Sequence, residues 1–255
     1  MTYNRTARAL ACALLALLFM PAGRAAAVDG VIEINQARAT AGGVTPGDMP
    51  GFPITINTGG TFANESMSFR LTGPLFNSTT ANIIEVTTPH VTIDLNGFAI
   101  SCLLPQCMAT AILSNEANVT VMNGTIRSYL NGVSLNGSGS RVENVRALEN
   151  VTGLNVGPNC LVRNNTASGN SGPGIVAQAG CTLIGNTINN NGGDGVDTNG
   201  ACNLIGNTAI GNGLFQLNLS SGTGYSQNVI SGTNTVTGGA TAAGSNVCNG
   251  SLTCP

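Results

Sequence analysis

Asp194 and Asp197 are the residues whose type and spacing come closest to a reaction site. Two carboxylates can divide a glycoside hydrolysis between them, one as acid and the other as base or nucleophile, at a suitable separation. Three extended residues span about 10 Å, and a turn at Gly192-Gly193 would shorten that. They are the only carboxylates after Glu149. The blander expectation is an Asp in a Gly-rich turn beside an isolated surface Asp. His90 is the sole histidine and opens a segment containing Asp94. A His–Asp pair can move protons, but four residues along one strand separate these two, so a structural His with an outward Asp is expected. A lyase needs a base and a carboxylate cluster to hold calcium. The chain has no lysine, and Arg127, Arg141, Arg146 and Arg163 lack a neighbouring acidic cluster. Glu143 and Glu149 read as surface ion-pair partners, Glu143 or Glu149 lying about one repeat before Arg163. No metal site and no cofactor are expected.

The elements that must position these residues follow from a repeat. Asn96 aside, the column Asn123, Asn144, Asn165, Asn186, Asn207 and Asn228 recurs every 21 residues. Val133, Leu154, Ile175, Val196 and Leu217 recur with the same period, four of them preceded by Gly132, Gly153, Gly174 and Gly195. A fixed period in this range means stacked units. Gly, Asn and β-branched residues interrupt every possible helix, so each unit is a coil of short strands, stacked about 4.8 Å from the next. Six Asn rungs then span about 24 Å. Asn tolerates the left-handed backbone of a tight turn and its amide both donates and accepts, so the column reads as an Asn ladder along the coil axis. Asn96, in Val91-Thr92-Ile93-Asp94-Leu95-Asn96-Gly97, matches Asn123 in Val119-Thr120-Val121-Met122-Asn123-Gly124 once a six-residue bulge is removed. Cys102 to Cys107 has that length and is expected to be clipped by its own disulfide. Arg163 would point inward if Asn165 were the ladder residue, which leaves a one-residue slip to Asn164 open.

The strand-Asn-Gly pattern resembles the right-handed parallel β-helix repeat of the pectate-lyase-like superfamily, from about Ile83 to Thr237. The resemblance implies an all-β fold, a right-handed parallel β-helix with three strands per coil. It also implies that a polar outer face can carry a glycan. Such a face is expected from Ser134, Asn155, Val176, Asp197 and Asn218, with Asn136, Gly157, Gln178, Asn199 and Ser220 two positions on. Asn155, Gln178, Asp197, Asn199 and Asn218 are the candidate ligand contacts, with no aromatic among them to stack on a sugar. An ordinary solvated sheet surface is the plainer expectation. In the superfamily's polygalacturonases aspartates cluster, but here the columns beside Asp197 hold Val176 and Asn218 instead of a third carboxylate.

Residues 1–27 read as a signal peptide: Arg5 and Arg8, an apolar run from Ala9 to Met20, a break at Pro21, and Ala25-Ala26-Ala27 for cleavage. The run is too short to span a bilayer stably, and no transmembrane segment is expected after cleavage. An exported chain is expected, whether periplasmic, cell-surface or secreted, with an extracellular polysaccharide as a candidate partner. The remaining six arginines and 11 carboxylates give a net charge of about minus five, which disfavours nucleic acid and anionic membrane surfaces. Residues 28–82 lack the period, hold Phe52, Phe62, Phe69 and Phe76, and are expected to form an N-terminal cap over the open end of the coil, with a helix at Glu33 to Ala41. Residues 83–237 form the β-helix and 238–255 a C-terminal cap, held by a Cys248–Cys254 disulfide. Cys160, Cys181 and Cys202 stack one per coil, in a row that does not suit tetrahedral metal binding, and are expected to pack as small apolar groups. A disulfide between adjacent coils is geometrically open but leaves one thiol over. Thr166, Thr187 and Thr208 form a similar short column without a repeated Thr-x-Thr.

Overall fold

The computed structural model describes residues 30–57 and 66–254. Residues 1–27, the expected signal peptide, and Phe62 lie outside them. The chain from Val31 onward winds into about nine coils, each contributing strands to three parallel sheets. Sheet one stacks Ile54–Ile56, Ile84–Val86, Cys107–Ser114, Tyr129–Leu135, Thr152–Val156, Ile175–Gln178, Val196–Asn199, Leu217–Leu219 and Val236–Gly238. In the regular coils sheet two contains Leu161–Arg163, Thr182–Ile184, Asn203–Ile205 and Gly224–Ser226, and sheet three contains Thr166–Ser168, Thr187–Asn189, Thr208–Ile210 and Val229–Ser231. Sheets two and three join where Thr120–Arg127 and Arg141–Leu148 run through the corner between them.

The alternation of short strands fixes which side chains face in. Val133, Leu154, Ile175, Val196 and Leu217 lie opposite one another in register and are fully buried. Each contributes about 1.5–3 kcal/mol through removal of its apolar surface from water.

The three corners share one device: a left-handed residue followed by an inward side chain that accepts a hydrogen bond from the preceding coil. Between sheets two and three the left-handed positions are Asn123, Asn144, Asn164, Gly185, Gly206 and Gln227. Asn and Gly meet this demand at little steric cost. The inward residues that follow from Asn165 onward are Asn165, Asn186, Asn207 and Asn228, all buried. Their Nδ2 groups donate to the next Oδ1 at 3.0, 2.9 and 3.0 Å, and Asn246 closes the ladder at 3.0 Å.

The expected single Asn column is therefore two columns. Arg141 pairs with Leu161, so that coil is one residue shorter than its successors. Asn144 corresponds to Asn164, both left-handed and outward, while Asn165 begins the buried ladder and Arg163 stays exposed. Asn96 and Asn123 belong with Asn144 on the outside. Asn144 donates to Asn123 at 3.2 Å, Asn123 to Asp94 at 3.1 Å, and Asn96 to the Leu71 carbonyl at 3.1 Å.

A second buried ladder runs along the corner between sheets three and one. Asn150, Asn170, Asn191 and Asn212 pass Nδ2–H···Oδ1 bonds at 3.2, 2.8 and 2.8 Å, and Gln216 receives the last at 2.9 Å. At the third corner the inward column is Ser140, Cys160, Cys181, Cys202 and Thr223. Val119 N–H donates to Ser140, Cys160 N–H to the Cys181 sulfur at 3.3 Å, and Cys202 N–H to Thr223. Of the three free, buried thiols, Cys181 thus takes the place of a hydroxyl as acceptor, and Cys160, Cys181 and Cys202 donate to the Gly137, Gly157 and Gln178 carbonyls, beyond the apolar packing expected of them. His90 belongs to this corner too, in the left-handed conformation with Asn118 and Gly139.

Both ends extend the coil. The segment 28–82, expected to be a cap, already contains rungs: Val31–Ile34 pairs with Met67–Leu71, and Ile54–Ile56 with Ile84–Val86. Glu33 and Ile34 belong to a strand, and the helix is confined to Gln36–Ala41, with Asn35 capping Arg38 N–H and Gly42 ending it. After Gly238, Thr241–Ala242 and Val247–Cys248 continue sheets two and three. Disulfides join Cys102 to Cys107 and Cys248 to Cys254. The first holds a protruding loop whose Leu103 and Leu104 are exposed.

Candidate functional site

The outer face of sheet one gathers the candidate residues. Ser134, Asn155, Val176, Asp197 and Asn218 stand side by side, with Thr55, Glu85 and Leu113 before them and Thr237 after. Gln178 and Asn199 are neighbours in the next outward column. Part of this row is already knitted together. Asn136 donates to Asn115 at 2.8 Å, Asn155 to Ser134 at 3.2 Å, and Ser134 to Asn136 at 3.2 Å. These bonds hold amide and hydroxyl groups at fixed rungs while leaving Asn115 and Asn136 exposed.

Asp194 and Asp197 converge on one amide. Asn218 Nδ2 donates to Asp194 Oδ2 at 3.1 Å and to Asp197 Oδ1 at 3.2 Å. Asp194 is buried in the turn before its strand, where its other oxygen accepts the Phe215 N–H at 2.9 Å. Burial, and then the negative charge of Asp194, push the Asp197 carboxyl above its ordinary range. Both oxygens bind the same nitrogen, so they lie closer together than the roughly 6.5–9.5 Å that separates the carboxyl groups of an inverting glycosidase. However, the Asn218 amide fills the gap where a scissile bond would have to lie, and both carboxylates already have a donor.

The other candidates are dispersed. Asp94 accepts from Asn96 N–H and Asn123 and lies 3.9 Å from Arg70, so its bonds go to the corner and to a cation. Arg163 pairs with Glu143 and Arg127 with Glu149, both at the surface. A cavity of about 430 Å³ lies away from sheet one, lined by Ser140, Arg141, Asn159, Cys160 and Thr182 among others; it contains a cation but no carboxylate. The Cys181 sulfur holds the Cys160 thiol below its usual range, and the same contact pushes Cys181 up to about 11. Among the described residues no three His, Cys, Asp or Glu side chains gather as metal ligands, and no helix is long and apolar enough to cross a membrane.

Coils returning in parallel register through three sheets define a parallel β-helix. The family described as a right handed beta helix region matches residues 60–214, and the chain belongs to that family. Among solved structures, the crystal structure of pectate lyase Pel9A is similar at a TM-score of 0.41 and 13% identity, over 79% of this chain and 75% of that one. No curated protein matches the sequence.

Proposed function

We propose that the protein is an exported, non-catalytic β-helix that binds an extracellular polysaccharide along the outer face of sheet one. The observation that carries this reading is the outward row on sheet one, where hydrogen bonds join Asn115, Asn136, Ser134 and Asn155 across successive rungs and, beyond Val176, Asn218 binds Asp197. Sugar hydroxyls both donate and accept, and a row of carboxamides and hydroxyls answers both roles. Catalysis is disfavoured because Asn218 occupies the gap between the two carboxylates and binds both.

The alternative is a carbohydrate-active enzyme that uses Asp194 and Asp197. The raised Asp197 carboxyl favours it, since a general acid must hold its proton near neutral pH. Incubation with a polysaccharide panel separates the two. Binding in affinity electrophoresis with no new reducing ends and no unsaturated products supports the binding module. Depolymerisation that Asp197→Asn abolishes would establish the enzyme, and absence of binding to every polysaccharide would remove the glycan reading.

A further inference from the structure

The strand-borne charges of this coil are sorted by face. Arg70, Arg127, Arg141, Arg146 and Arg163 all lie in strands of sheets two and three. The nine strands of sheet one contain no arginine, lysine or histidine. Among the described residues, the ionisable groups at its outer face are carboxylates: Glu85 in the central row, Asp197 five rungs further along that row beyond Leu113, Ser134, Asn155 and Val176, and Asp194 beside Asp197. Glu85 accepts from Asn82 at 2.7 Å and Asp194 and Asp197 from Asn218, so their described hydrogen-bond donors are neutral amides and a backbone N–H.

We infer that the sheet-one face selects an uncharged polysaccharide and rejects uronic-acid polymers. This rests on the glycan-binding reading above and narrows it to a ligand class. An acidic polymer laid along the face would bring a carboxylate beside Glu85 or the Asp194–Asp197 pair without meeting a cation, and like charges in contact across an interface are repelled. The amides and hydroxyls between them, Ser134, Asn136, Asn155 and Gln178, carry no net charge and suit neutral hydroxyl groups. Asp197 already lies beside Asp194 in a partly buried setting, so a third anion there adds to an existing repulsion.

The test is affinity electrophoresis of the full disulfide-bonded protein in gels containing neutral glucans or galactomannans, and in gels containing polygalacturonate or alginate. Each is run at low and at high salt. The expected result is retention by a neutral polymer that changes little with salt, and at least about tenfold weaker retention by the uronates at low salt. The Asp194→Asn/Asp197→Asn double variant is expected to gain uronate retention. Glu85→Gln, at the opposite end of the row, provides the same readout should the double variant fail to fold. Uronate binding equal to or tighter than neutral binding, weakening as salt rises, would overturn this inference and leave the glycan reading standing. Retention by no polymer of either kind would overturn both.

Discussion

Replacing Asn186 by Ala removes four hydrogen bonds from the middle of a buried ladder. The side chain is 1% exposed. Its Nδ2 donates to Asn207 Oδ1 and to the Val162 carbonyl, both at 2.9 Å. Its Oδ1 accepts Asn165 N–H at 2.9 Å and Asn165 Nδ2 at 3.0 Å. At about 1 kcal/mol net for each bond, the direct loss is about 4 kcal/mol. The partners suffer unequally. Asn207 Oδ1 keeps the Asn186 N–H and Asn165 Nδ2 keeps the Val142 carbonyl. Asn165 N–H is left without that acceptor at a buried corner, where an unmet donor costs about 1–3 kcal/mol. With partial relaxation, the expected destabilisation is about 3–5 kcal/mol. Asn144→Gly is the matched control. Asn144 is exposed and left-handed, its described side-chain bond is the 3.2 Å one to Asn123, and glycine already fills the equivalent positions 185 and 206. Its expected cost is below about 0.5 kcal/mol. Urea unfolding followed by circular dichroism gives both values, and amide exchange at Asn165 reports the local effect. An Asn186→Ala cost below about 1 kcal/mol, or no larger than that of Asn144→Gly, would refute the assignment of the ladder.

Three further outcomes follow from the same geometry. Cys181→Ser keeps an acceptor for the Cys160 N–H and is expected to cost little, whereas Cys181→Val removes it and is expected to cost about 1–3 kcal/mol in thermal or urea unfolding; equal costs would restore a purely apolar role. Tyr129 is fully buried and its hydroxyl has no protein hydrogen-bond partner among the described residues. Tyr129→Phe is therefore expected to be neutral or stabilising by up to about 1 kcal/mol, and a clear loss in melting temperature contradicts that. The folded pKa of Asp197 lies above its unfolded value, so the charged form costs stability. That penalty is absent below the unfolded carboxylate range near pH 4, grows as pH rises through the folded pKa, and is complete above it. Asp197→Asn is expected to stabilise at pH 7 and to match the parent near pH 3; a gain independent of pH would sink this reading.

The sequence displayed the coil where its length is constant. Leu154, Ile175, Val196 and Leu217 lie in one buried column because each repeat returns the chain to the same point. The Cys102–Cys107 clip was legible because its loop lengthens a single repeat. A coil one residue short, where Arg141 meets Leu161, merged Asn144 with Asn165 although one is outside and the other inside. The same short coil hid the second ladder, since Asn150 to Asn170 breaks the spacing kept by Asn170, Asn191 and Asn212. Those last three formed the signal that could have revealed it. Near the start, Ile54 meets Ile84 and Ile84 meets Ile112 across coils of unequal length, so these rungs leave no fixed period in the sequence. At the candidate site, the types of Asp194, Asp197 and Asn218 were legible but their meeting at one amide was not, because the turn at Gly192-Gly193 sets it.

The central claim is that axial distance follows the number of coils, not the number of residues. Sheet one places Ser134 and Thr237 five rungs apart, and Glu85 and Thr237 seven rungs apart. Spin labels carried on genetically encoded ketone residues at these sites leave the cysteines untouched. Dipolar spectroscopy is expected to give backbone separations of about 24 Å and about 34 Å, each narrowly distributed. Broad distributions, or two distances that fail to differ by about two strand spacings, would contradict the coil on which the candidate site and its proposed ligand depend.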